Sequence, residues 1–249
     1  VYIPEGRQIK KLSNEEIDFP DGSILVKTFY YLNDDRELSQ GRRIIESRLL
    51  VKEKGVWNAA TYKWNESQSE AVLTADGSSQ LVSWTDMQGI ERSTIYNVPE
   101  QNDCFTCHQS NSATVPLGPT LRNLNRNVQR QGKSMKQIEY LQEIGLLNKF
   151  SIEGLSQIVD YRNTMASLSE RSRAYLDINC AHCHNPKGWK SAKQRDFDFR
   201  YETSLANTGI VNHEEKIARN LMKGRMPLIG TTMIDNKGVN LIVDYLQSL

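Results

Sequence analysis

The chain has no apolar run long enough to cross a bilayer, no histidine before His108, and no cysteine beyond Cys104, Cys107, Cys180 and Cys183. The first absence excludes a membrane-spanning helix within these residues. The second leaves the first hundred residues without an imidazole for acid–base or metal chemistry. No Gly-rich phosphate loop and no paired-carboxylate motif stands out there either, so that region reads as a structural or docking module. Charge of one sign is also missing: 31 basic residues face 30 acidic ones, for a net charge of +1. No global field recruits nucleic acid or an anionic membrane, and charged partners must meet local patches. The amino terminus lacks the basic-then-apolar design of a secretion signal. At 249 residues and 38% hydrophobic, the chain can still bury a sizeable core in one or two domains.

What is present is concentrated in two pentapeptides, Cys104-Phe105-Thr106-Cys107-His108 and Cys180-Ala181-His182-Cys183-His184. Each has the form C-x-x-C-H, the attachment pattern of a c-type haem. Two thiols three residues apart on one helical turn can add to the two vinyl groups of one porphyrin, and the next imidazole reaches under the iron. Cys104, Cys107, Cys180 and Cys183 are therefore the expected thioether positions, and His108 and His184 the expected proximal ligands of two haems. Other uses of paired cysteines stay open. Four thiolates could hold a structural zinc, which is indifferent to the histidine that follows both pairs. A thioredoxin-like pair needs only one C-x-x-C, and two disulfides leave the histidines unexplained. Because c-type haem is attached on the exported side of bacterial membranes, the motifs predict a periplasmic or cell-surface protein, with a leader or anchor ahead of Val1.

Residues 1–99 read as β-rich. Branched and aromatic residues crowd 23–31, after the turn-like Pro20-Asp21-Gly22, then 43–52 and 56–64 around Lys54-Gly55. Shorter runs at 71–74, 81–84 and 92–98 are separated by Asp76-Gly77 and Gln88-Gly89, predicting an antiparallel sandwich or small barrel. From Pro99 the pattern turns helical. Helices are expected at 134–147 and 151–161, then at 167–179 with Leu168, Ala174, Tyr175 and Ile178 buried. After the second motif come a loop at 189–212, a short helix at 214–222 and a terminal helix at 237–249. The expected fold class is thus α+β and multidomain: a β-rich domain at 1–99, a first haem region at 100–163 and a second haem domain at 164–249.

The order helix, Cys180 to His184, Gly224-Arg225-Met226-Pro227, and a last helix carrying Val243-Asp244-Tyr245-Leu246 resembles a class I cytochrome c over 164–249. That resemblance implies that Met226 is the distal ligand of the second haem, opposite His184, where a thioether raises the potential. Leu117-Gly118-Pro119-Thr120-Leu121 resembles the turn that packs on the proximal histidine in the same class. The chain from about Ile17 onward also resembles a poorly characterised family of exported bacterial haem proteins. Asp18-Phe19-Pro20-Asp21-Gly22, Val26-Lys27-Thr28-Phe29, Tyr62, Trp64, Asn65, the segments leading into both motifs, and Arg225-Met226-Pro227 carry that second likeness.

No Met-Pro loop follows the first motif at the matching distance. Met165, Met135 and His182 are the candidates for its sixth ligand, and an open position is the remaining alternative. Two six-coordinate irons make a carrier of electrons between a donor and an acceptor protein. An open first site makes a dihaem peroxidase-like enzyme, which would draw on Gln109, Arg122, Arg126 or Arg130. In a third reading Trp57, Trp64 and Trp84 stack on sugar rings, although core packing is the ordinary use of such residues. Arg200 and Arg225 are either partners for haem propionates or solvated surface cations. His213, beside Glu214 and Glu215, reads as a surface residue.

Overall fold

A computed structural model describes residues 1–12, 16–189 and 196–249. The amino-terminal half is antiparallel β. Strands β3 (Ile24–Leu32), β4 (Arg42–Glu53), β5 (Val56–Trp64) and β6 (Ala71–Thr74) form one sheet in that order, and β7 (Ser78–Thr85) pairs with β8 (Glu91–Val98) as a separate hairpin. Each neighbour in the sheet is also the neighbour in sequence. Between β4 and β5, Lys54 and Gly55 have φ of 50° and 79°. Two consecutive left-handed residues suit a two-residue turn that matches strand twist. Short β1 (Lys10–Lys11) pairs with β2 (Ile17–Asp18) at the entry.

Three apolar cores follow. Ile45, Val82, Tyr96 and Val98 pack between the sheet and the hairpin. Within that core Glu46 is fully buried, and its carboxylate accepts from the Tyr96 hydroxyl at 2.5 Å and from the Arg48 guanidinium. A second core joins Ile3, Ile9, Phe19 and Trp57 to Leu121, Ile138 and Leu147, so the region after the first motif packs onto the sheet. The third gathers Leu176, Ile217, Leu221, Ile242, Tyr245 and Leu246 in the carboxy-terminal helical part.

Six helices are described: α1 (Gln101–Cys107), α2 (Leu121–Leu124), α3 (Gln137–Glu143), α4 (Leu168–Asn179), α5 (Glu214–Met222) and α6 (Asn236–Gln247). The last three match the expected positions closely. Ser167 opens α4 with a capping box, accepting from the Glu170 N–H while the Glu170 carboxylate takes the Ser167 N–H. On α4, however, Ile178 is half exposed and Arg173 is buried instead, its guanidinium donating to the Arg200 and Thr203 carbonyls.

The helix expected at 134–147 begins instead as a hairpin, β11 (Asn127–Arg130) with β12 (Lys133–Lys136), and only Gln137–Glu143 is α-helical. Gln131 and Gly132, with φ of 49° and 76°, make that turn. The helix expected at 151–161 is absent. Gly154 is left-handed, and Asn125 donates its side-chain amide to the Leu155 and Ser156 carbonyls, holding the backbone open. Ile152 and Leu155 still reach the core from this irregular segment. Of the loop expected at 189–212, residues 190–195 lie outside the described residues. No described helix is long and apolar enough to cross a membrane.

Candidate haem-attachment site

The first pentapeptide sits on α1. Glu100 and Asp103 form a capping box at its start, and Gln101 fastens it to the β region. The Gln101 backbone N–H donates to the Ala75 carbonyl at 2.9 Å and its side-chain amide to the Ala59 carbonyl at 3.2 Å. Cys104 and Cys107 are one turn apart, and His108 is the residue at which the helix stops, its N–H donating to the Cys104 carbonyl. The chain then turns through β9 (Gln109–Ser110) and β10 (Ala113–Thr114) and returns to His108. There the Val115 N–H donates to the His108 carbonyl, and His108 Nδ1 meets the Val115 carbonyl at 2.9 Å. A carbonyl only accepts, so Nδ1 carries the proton and Nε2 keeps its lone pair for a metal. The residue that orients His108 is therefore Val115, two positions before the Leu117-Gly118-Pro119 turn expected to do so.

The second pentapeptide leaves the end of α4. Cys180 caps that helix through a bond to the Leu176 carbonyl, and the N–H groups of Cys183 and His184 both return to the Cys180 carbonyl, at 3.1 and 2.9 Å. Asn185 closes the turn, donating its side-chain amide to the Ala181 carbonyl at 2.7 Å. His184 is surrounded by rings, Phe197 at 5.6 Å and Phe199 at 5.3 Å between centroids. Its Nδ1 is buried without a hydrogen-bond partner among the described residues.

The two pentapeptides touch. Cys107 and Cys183 Sγ are 3.9 Å apart, and the Asn111 N–H donates to the Lys187 carbonyl at 3.0 Å. His182 comes from the second pentapeptide to the first: its ring nitrogen and the sulfurs of Cys107 and Cys183 lie within 4.8 Å of one another. Among the described residues this is the only such group of three or more His, Cys, Asp or Glu side chains, so the four thiols do not converge on one tetrahedral centre. Beside it opens a mostly apolar cavity of about 190 Å³, lined by Cys107, Cys180, Cys183, His184, Trp189 and Met226.

The electrostatics suit metal-binding donors. Burial pushes His184 down to about 4 and also lowers His108, so both rings are neutral near pH 7. The Cys183 S–H and His182 hold Cys107 below the ordinary thiol value, which favours its thiolate. Burial alone lifts Cys180 to about 12. All four thiols are free of disulfides. The residues present fit two covalently held haems: each thiol pair is followed by a neutral imidazole, and one imidazole already has its tautomer fixed.

The remaining candidates separate. Met226 lines the cavity with His184. Met165 is 92% exposed in a surface turn that Asn163 caps, and the fold does not bring it to the cavity. Met135 is on β12 opposite Val128, not on a helix, and does not line the cavity. Arg122 donates to Asp177 and Glu202, Arg126 to Gln137, and Arg130 lies over the Tyr140 ring, while Gln109 pairs in β9. Arg200 pairs with Asp198 at 2.5 Å, and Arg225 is exposed. Trp57 is buried edge-on against Phe19, Trp64 donates to Ser47, and Trp84 packs on Tyr31; the three do not make an open stacking platform. His213 is half-buried against Phe197 rather than solvated.

Sequence reading missed Phe197, Phe199 and Val115. The alternation Asp196-Phe197-Asp198-Phe199 in a stretch without helical period was the available signal, since two phenylalanines in a polar loop need an apolar partner. In comparisons with known proteins, no family model, no curated protein and no solved structure matches the chain.

Proposed function

We propose that the chain is an exported dihaem c-type cytochrome that passes electrons between a donor and an acceptor protein. The observation that carries this reading is the contact between two C-x-x-C-H segments, one on α1 and one leaving the end of α4, beside one apolar cavity. When bound, each haem supplies a one-electron iron couple. The chain's own residues do the rest. Cys104 with Cys107, and Cys180 with Cys183, anchor the two groups. His108 and His184 present neutral imidazole nitrogens, and Met226, which lines the same cavity as His184, would offer a thioether to the second haem. His182, reaching over to Cys107, is the residue we assign to the remaining position of the first site. The 3.9 Å approach of Cys107 and Cys183 keeps the two attachment points adjacent, which favours transfer between them. Residues at 1–99 supply the wall on which α1 is docked.

The arginines that a peroxidase-like site would draw on are already engaged elsewhere, which favours the carrier. A second reading has one specific observation behind it. Cys107, His182 and Cys183 could hold a single zinc-like ion with two thiolates and one imidazole. It leaves His108, His184, Cys104 and Cys180 without a use.

One experiment separates them. The chain is expressed with an export leader in a host that attaches c-type haem, and its spectrum is recorded oxidised and reduced, with and without carbon monoxide, beside Met226→Ala. The carrier gives two covalent haems per chain, indifferent to carbon monoxide, with a thioether-to-iron charge-transfer band that Met226→Ala removes. A colourless protein containing one zinc per chain would sink the proposal. Rapid carbon monoxide binding to half the haem in the unmodified protein would move the assignment to the enzyme.

A further inference from the structure

The two histidines that follow the thiol pairs are held in opposite ways. His108 gives its Nδ1 proton to the Val115 carbonyl at 2.9 Å. His184, equally enclosed, gives its Nδ1 proton to no acceptor among the described residues, and a buried polar atom without a partner calls for a reason. Rings hold it in place of a hydrogen bond. Phe197 meets the imidazole edge-on and Phe199 meets it at a tilt, while the two phenylalanines stack on each other at 4.9 Å. His213 closes the far side, its ring 5.2 Å from Phe197. The backbone contributes as well, because the Phe199 N–H donates to the His184 carbonyl at 3.0 Å and so fixes the ring box relative to the ligand.

A carbonyl accepting from Nδ1–H pushes electron density toward Nε2 and makes the imidazole a stronger donor. A stronger donor stabilises the ferric state. Without that bond the ring is a weaker donor, and an apolar surround disfavours the extra positive charge of ferric iron. Both effects act in the same direction at His184.

We propose that the two imidazoles are deliberately unequal donors, with Phe197 and Phe199 as positioning residues that hold His184 without a hydrogen bond, so that electrons run from the His108 site to the His184 site. The exchange moves one electron from a ferrous centre on His108 to a ferric centre on His184 and needs no proton. This rests on the dihaem reading, and it holds whether or not Met226 is the distal ligand, since it concerns the other face of the ring.

The test uses the holoprotein labelled with ¹⁵N-histidine, and its first step counts covalent haems by the pyridine haemochrome. Fewer than two haems would sink the cytochrome reading itself. With two present, the reduced, diamagnetic protein is examined by NMR. One iron-bound histidine is expected to show a downfield, hydrogen-bonded Nδ1–H, and the other, identified by its response to Phe197→Leu, an Nδ1–H without a partner. Two alike, hydrogen-bonded resonances would overturn the inference while leaving the cytochrome intact. Phe197→Gln then offers His184 an amide carbonyl. It should move that resonance downfield and lower the higher-potential wave of a redox titration by about tenfold in the oxidised-to-reduced ratio, about 59 mV for one electron. Phe197→Leu should not reproduce that drop, and equal drops in the two variants would show that polarity of the hydrogen bond is irrelevant. Should Phe197→Gln fail to fold, the unmodified protein's two resonances decide the matter.

Discussion

Arg122, at the start of α2, donates to both carboxylate oxygens of Asp177 on α4 at 3.1 and 3.0 Å, and the two side chains are only 9% and 8% exposed. Asp177 also accepts from the Tyr201 N–H at 2.8 Å. The pair ties the segment after the first pentapeptide to the helix that delivers the second. Its net worth is small, because burial penalises both ions, but removing one partner strands the other. Arg122→Met should therefore cost about 3–5 kcal/mol in urea unfolding of the holoprotein. Arg122→Met combined with Asp177→Leu should recover much of that loss, and an equally unstable double variant would refute the pairing argument.

His182 makes a sharper demand on the site. It contributes no thioether, so His182→Ala should leave two covalent haems per chain. If the ring completes the first site, the variant gains a carbon monoxide-binding haem, visible as a shifted Soret band in half of the reduced chromophore. No change on adding carbon monoxide would remove His182 from the ligand set.

The buried Tyr96–Glu46 bond sets an alkaline limit. Burial and the Glu46 carboxylate raise the Tyr96 phenol well above its ordinary value of 10.0. A raised pKa in the folded state contributes stability that is complete below the unfolded value. It is lost as pH climbs past 10 toward the folded value, because only the unfolded chain releases the proton. The unfolding temperature should fall steeply above pH 10. Tyr96→Phe should start lower, by about 1.5–3 kcal/mol for a hydrogen bond to a charged group, and decline less over the same range.

Where α4 and α6 cross, a Cβ on Gly238 would collide with the ring of Tyr175. That ring cannot swing aside freely, since its hydroxyl donates to Asp235 at 3.1 Å and it packs edge-on against Tyr161. Gly238 lies in the first turn of α6, where its N–H donates to the Asp235 carboxylate, so alanine there gains less than the about 1 kcal/mol it gains over glycine in a helix interior. Overpacking costs about 1–3 kcal/mol, so Gly238→Ala should destabilise on balance. Thermal unfolding of the variant, compared with Gly238→Ala in a Tyr175→Leu background, checks the sign.

The strands at 24–98 and the three carboxy-terminal helices could be read from the sequence because local signals agree with the tertiary result. Lys54-Gly55 turns where left-handed residues are needed, and Ser167 with Glu170 caps where a helix begins. Between 127 and 161 the local and tertiary demands part. Ile152, Leu155 and Ile158 have helical spacing, yet Gly154 interrupts them and Asn125 takes the backbone carbonyls, so the apolar side chains reach the core from an irregular chain. The thiols and their histidines were legible because covalent chemistry fixes their spacing. The partners of those histidines were harder to read: Val115 acts through a backbone carbonyl, which every residue owns, and Phe197 acts from a loop whose one signal is the alternation of Asp and Phe over 196–199.

The first residues of the chain act as a strap. Ile9 bridges to Leu147, and the Lys11 N–H donates to Asn148 Oδ1 at 2.7 Å across 137 residues of sequence. The hairpins between them close over short loops and can form early, whereas contacts of such separation pay their loop entropy before they are rewarded. Refolding should thus proceed in an order, sheet and hairpin first and strap last, and the second core stays unfinished until Leu121, Ile138 and Leu147 are in place to receive Ile9. Timing is built into the topology: the strap of residues 9–11 settles only after the distant segment that receives it has folded.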